Sequence, residues 1–123
     1  MPAANINLRL DQATRFVWEH ELHVGGADGP LMQLAGYSAR MQVRPELESS
    51  TVLAELTTAN GAISLGTTNG RLAVTFTAAM TAGAAWVEGV YDLELVQPDG
   101  LPIRLFRGDI TIDLKVTRMG SGL

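Results

Sequence analysis

The stretch from Trp86 to Ile112 restricts the fold more than any other part of the chain, because its side chains change character at every second residue. Tyr91, Leu93 and Leu95 fall on one side of an extended backbone, and Asp92 and Glu94 fall on the other. That is the pattern of a strand with one face against a core and the other in water. Asp99-Gly100 supplies a hairpin turn, and the run from Ile103 to Thr117 returns with Ile110, Ile112, Leu114 and Val116 directed inward. The run is long for a single strand, so Gly108 is expected to mark a bulge or bend where it changes partners.

The same alternation recurs upstream. From Arg15 to Val24, Phe16, Trp18, His20, Leu22 and Val24 share an inward face, while Arg15, Val17, Glu19, Glu21 and His23 share the outward one. A Gly- and Pro-containing loop over residues 25–30 ends this strand, since Gly supplies positive φ and Pro lacks a ladder donor. Tyr37, Ala39, Met41 and Val43 then alternate with Ser38, Arg40, Gln42 and Arg44 up to Pro45. Further strands are expected at Val52 to Thr57, Ile63 to Leu65 and Arg71 to Phe76, separated by turns at Asn60-Gly61 and Asn69-Gly70. The Ala-rich stretch 78–85 contains Gly83, which allows a helical turn or two, packing Met80 and Trp86 over one end.

About seven to eight short strands with regular turn signals predict an all-β, antiparallel, immunoglobulin-like β-sandwich with one short helical connection. A chain of 123 residues with 46% hydrophobic content is expected to form one domain over residues 1–118, with a flexible tail over 119–123. With no Cys, there is no disulfide framework and no Cys-based zinc site. A net charge of -4 with nine Lys and Arg argues against nucleic acid or an anionic membrane as partner, since both select concentrated positive charge. The N-terminus lacks the pattern of a signal peptide, and no apolar run approaches the roughly 20 residues that span a bilayer. A soluble protein made in a cytoplasm is expected.

No constellation of reactive side chains stands out, so neither an enzyme nor a bound cofactor is expected. Glu19, Glu21 and His23 share a strand face at a spacing that can surround a metal ion, but two acids and a His also make an ordinary solvated face, and Arg15 competes for the carboxylates. His20 has no nucleophile or acid placed beside it, which suits a buried, hydrogen-bonded residue. Asp92 and Glu94 are the residue types of a glycosidase pair, yet their spacing is that of one wet strand face. The glycine pairs of the 25–30 loop lack the Lys-Ser/Thr and helix of a phosphate cradle. Trp18 and Trp86 are the side chains that could stack on a sugar, although their strand phase turns both inward.

The ordered set Gly36-Tyr37 entering a strand, Trp86 before Gly89-Val-Tyr-Asp-Leu93, and Arg104 and Gly108 in the last hairpin resembles small tail proteins of bacteriophages and prophages. In particular the chain is similar, from about residue 5 to residue 118, to the immunoglobulin-like N-terminal domain of baseplate upper proteins. The resemblance implies a virion structural protein, present in several copies and bound to other tail, baseplate or fibre proteins. Baseplate upper proteins continue into a shaft or receptor-binding region, whereas this sequence stops after the sandwich, so a connector or adaptor is the expected role. The alternative is a carbohydrate-binding module that recognises a cell-surface glycan.

Sandwich edges can accept a strand from a neighbour. The arm Asn5 to Leu10, with Ile6, Leu8 and Leu10, is either donated in this way or is the domain's own first strand, and the two roles are compatible. Val17, Leu53 and Phe106 fall on the nominal solvent faces of their strands and complete the set of candidate interface residues.

Overall fold

The computed structural model describes residues 3–25 and 28–116. The expected tail over 119–123, and part of the expected loop after residue 24, lie outside them. Among the described residues, two sheets face each other. The larger contains β1 (Ala4–Asn5), β2 (Leu8–Asp11), β4 (Ser38–Arg44), β5 (Ala54–Thr57), β8 (Glu88–Val96) and β9 (Pro102–Asp113). Its order is β1-β9-β8-β4-β5, with β2 also on β9. The smaller has the order β3-β7-β6, from Phe16–Glu21, Arg71–Phe76 and Ile63–Leu65. A one-turn helix, α1 (Ala78–Ala82), follows β7, with Thr77 as its N-cap accepting the Met80 amide.

This is an all-β sandwich of immunoglobulin-like character. Nine strands are found because the N-terminal arm is divided in two between Asn5 and Leu8. Both halves run parallel to β9, with Leu8 opposite Ile110 and Leu10 opposite Ile112, whereas every other strand pair is antiparallel. The division coincides with Gly108, where an added Cβ would lie 2.2 Å from the Ile6 carbonyl oxygen. At that point the Tyr91 hydroxyl donates to Ile6 O at 2.6 Å and Asn7 Oδ1 accepts the Asp109 amide at 3.0 Å.

The core lies between the sheets. Leu10, Val43, Leu56, Val74, Leu93, Leu95 and Ile110 are fully enclosed, each such side chain contributing about 1.5–3 kcal/mol through removal from water. Trp18 of β3 meets Tyr91 of β8 edge-on at 6.1 Å and Phe106 of β9 at 5.1 Å. This aromatic contact ties the two sheets together in a chain that has no Cys to do so.

The structure moves several side chains from their expected faces. The irregularity in the last strand is at Leu105, which is left out of register between the pairs Leu93–Phe106 and Glu94–Arg104; Gly108 pairs regularly with Tyr91. One extra residue reverses the alternation, so Phe106 turns inward and is only 4% exposed. Beyond Asp113 the ladder ends, and Leu114 and Val116 are 60% and 93% exposed instead of continuing the core face. Val24 likewise lies outside the core, because β3 stops at Glu21. His20 has the inward phase but is exposed, with its ring edge-on to Phe106 at 4.8 Å.

Candidate functional site

Of the six candidate interface residues, three belong to the core. Leu8 and Leu10 are buried against β9, so the N-terminal arm is the domain's own first strand, and Phe106 is removed from the surface by the bulge at Leu105. Ile6 and Leu53 are partly buried and pack against the core. Val17 keeps an outward position on β3 and is 37% exposed.

Val17 lies on a strand that has a neighbour on one side only: β3 pairs with β7, and among the described residues nothing pairs with its other edge. The direction of its backbone groups follows from the ladder. Leu22 N–H donates to Gly70 O at 2.7 Å, while on the far side of β7 Thr75 N–H donates to Ala62 O at 2.8 Å. Antiparallel ladders alternate, so His20, Trp18 and Phe16 turn their amides and carbonyls toward β7. Val17, Glu19 and Glu21 turn theirs to the open edge. Such a row of unpaired groups is a template for another strand unless it is covered or distorted.

The carboxylates of this edge are already engaged in part. Glu19 forms an ion pair with Arg71 across the ladder, and Glu21 Oε1 lies 3.1 Å from His23 Nε2. The His23 ring also contacts the Gly29 carbonyl through Nδ1 at 2.8 Å. That carbonyl, followed by the Glu21 carboxylate, raises the His23 pKa above its ordinary value against a smaller opposing effect of desolvation. Among the described residues no three acidic, His or Cys side chains converge to hold a metal ion; Glu19 points to Arg71, not to the Glu21–His23 pair. A hollow of about 300 Å³ lies at this end of β3, lined by Glu19, His20, Glu21, Asn69 and Arg71.

A second concavity, of about 370 Å³, opens on the outer face of the larger sheet, where Arg44, Arg104 and Arg107 meet Asp92, Asp109 and the exposed Leu47. Arg44 is held by Gln42 Oε1 and Ser49 O, each at 2.8 Å, and Arg104 stands 3.8 Å from Asp92. Arg107 has no ion pair among the described residues. Three guanidinium groups against two carboxylates leave this groove with a positive excess in a chain of net charge -4, which suits contact with an acidic side chain. Glu94 on the same face is paired with Arg40 at 2.8 Å. Asp92 and Glu94 therefore belong to a cross-strand charge ladder, each facing its own arginine.

The sugar-stacking geometry considered for the tryptophans is not presented: Trp18 packs inside the sandwich on Tyr91 and Phe106, and Trp86 is partly buried against the core. The open edge of β3 had no sequence signal of its own, because a strand's alternation reports its faces and says nothing about how many neighbours it has.

No protein-family model matches the sequence, and no curated protein matches it. Among solved structures, extracellular domains 3-5 of Drosophila OTK are similar at 12% identity and a TM-score of 0.37, over 86% of this chain and 32% of that one. The chain thus spans about a third of the length of that structure, and a likeness at this level says nothing about function.

Proposed function

We propose that this chain is a non-enzymatic virion structural protein of a phage tail, a baseplate or tail-tip connector that joins other tail or fibre proteins and copies of itself. The reading is supported by the sequence resemblance to the immunoglobulin-like domain of baseplate upper proteins. It is also supported by one structural observation: among the described residues, the outward amides and carbonyls of β3 face an edge with no neighbouring strand, the feature through which a rigid sandwich joins a neighbour by strand addition. In this role the fold supplies stiffness and the edge supplies hydrogen bonds, with the charged groove around Arg107 as a second contact surface.

Electron microscopy of phage particles carrying the protein, or of the protein co-expressed with the products of neighbouring genes, tests this. Several symmetric copies of a sandwich-shaped density around a tail tip are expected. A tail accounted for entirely by other proteins, together with no co-purifying partner, overturns the reading.

A further inference from the structure

We propose that the free edge of β3 accepts the same edge of a second copy, antiparallel and about a twofold axis, joining two three-stranded sheets into one continuous sheet. The inference rests on the proposed assembly role only for the idea that the edge is used; its residues and register come from the geometry of β3.

The residues that offer backbone groups to the edge are Val17, Glu19 and Glu21, and Arg15 immediately precedes the strand. Hydrogen-bonded partners in an antiparallel pair must both turn their groups toward the interface, which limits the registers to those that match odd residues with odd residues. If Val17 faced Val17 of the second copy, Glu21 would face Ala13. Ala13 cannot serve: it has a left-handed φ of 58°, and its amide already donates to Thr81 Oγ1 at 2.8 Å. If Glu19 faced Glu19, like charges would stand directly opposite each other, which destabilises a strand pair.

The register between these two meets neither obstacle. It places Trp18 opposite Trp18 of the second copy, Val17 opposite Glu19, and Arg15 opposite Glu21, the last pair occurring twice by symmetry. Arg15 is exposed and has no ion pair among the described residues. In this register its guanidinium arrives at the end of β3 where Glu19 and Glu21 line the 300 Å³ hollow. The hollow already contains Arg71, which is committed to Glu19, whereas Glu21 meets only the His23 ring, at 3.1 Å through Oε1, so Glu21 is the carboxylate that Arg15 meets. Phe16 faces His20 of the second copy, which adds cover to two rings that the single chain leaves partly exposed.

The test is sedimentation equilibrium of the purified chain alone, at loadings up to roughly millimolar, for the wild type, Arg15→Glu, Glu21→Arg and the two combined. The wild type is expected to form a dimer. Each single reversal turns two attractive cross-strand pairs into repulsive ones and is expected to weaken association by about tenfold or more, while the combined reversal restores it to within a few-fold. Val17→Pro removes an amide that no described residue of the monomer accepts, a position where an edge strand tolerates Pro; it is expected to leave a folded monomer, checked by circular dichroism. A wild type that stays monomeric, or a combined reversal no better than the singles, overturns the proposal. Because no tail protein is present, such a result leaves the tail assignment to stand or fall on the microscopy.

Discussion

Replacing Gly108 by alanine adds one carbon where the backbone leaves no room. The new Cβ would lie 2.2 Å from the Ile6 carbonyl oxygen, 2.8 Å from its carbon and 3.0 Å from Asn7 Oδ1. The first two obstacles are main-chain atoms, so relief requires the Ile6–Asn7 segment to lift off β9. Three hydrogen bonds go with it: Ile6 N–H to Arg107 O at 2.8 Å, Tyr91 O–H to Ile6 O at 2.6 Å, and Asp109 N–H to Asn7 Oδ1 at 3.0 Å. At about 1 kcal/mol net for each backbone donor and about 1–3 kcal/mol for a buried hydroxyl left without its acceptor, the expected loss is about 3–5 kcal/mol. Urea unfolding followed by tryptophan fluorescence reads this as a lower midpoint at unchanged slope. Tyr91→Phe removes one of the three bonds and is expected to cost about 1–1.5 kcal/mol. Combined, the two substitutions cost less than their sum by about 1 kcal/mol, because the first has already displaced the acceptor used by the second. A loss below about 1 kcal/mol for Gly108→Ala, or strict additivity with Tyr91→Phe, refutes the reasoning.

Phe106→Ala is expected to destabilise the fold by about 3–5 kcal/mol while Val17→Ser changes it by less than about 0.5 kcal/mol; the reverse order in urea unfolding returns Phe106 to the surface. Burial pushes the Tyr91 pKa up from 10.0 to about 12. Its stabilising contribution is therefore complete below 10.0 and lost as pH rises through the folded value. The tyrosinate difference titration between wild type and Tyr91→Phe should show this delay, and a difference centred at 10.0 in the folded protein contradicts it. The raised His23 pKa makes its contribution complete below 6.5 and lost as pH climbs through the higher folded value. Unfolding midpoints across that window should fall slightly in the wild type and flatten in His23→Gln; a midpoint that rises with pH only when His23 is present refutes the sign.

Strands whose alternation is uninterrupted were legible in the sequence almost to the residue. Ile63–Leu65 and Arg71–Phe76 fall where the pattern puts them, and Tyr91, Leu93 and Leu95 are buried as their phase requires. The pattern misleads where an uncounted residue shifts it. The change of parity in the last strand is visible in the spacing between Ile103 and Ile110, but Gly108 attracts the bulge because Gly is the usual marker, whereas the unpaired residue is Leu105. Phe106 was lost to the surface for that reason alone. Periodicity also continues past the end of hydrogen bonding, so Leu114 and Val116 resemble core although β9 has stopped. Neighbour relations lie one level further away: the parallel pairing of the N-terminal strands goes with the close approach of Ile6 to Gly108, and the edge position of β3 is set by the strand order β3-β7-β6 among the described residues.

The parallel pairing of β1 and β2 with β9 has a mechanical meaning. Ala4 lies beside Phe106 and Asp11 beside Asp113, so the first and last strands run the same way and the backbone enters at one end of their shared seam and leaves at the other. Tension applied between Ala4 and Asp113 pulls these strands past each other lengthwise, loading their hydrogen bonds together instead of opening them one after another from an end. The Ile6 carbonyl seated over Gly108 and held by the Tyr91 hydroxyl obstructs that sliding. Under axial load the domain is therefore built to resist as a single shear clamp, whose strength is set by the seam between its first and last strands.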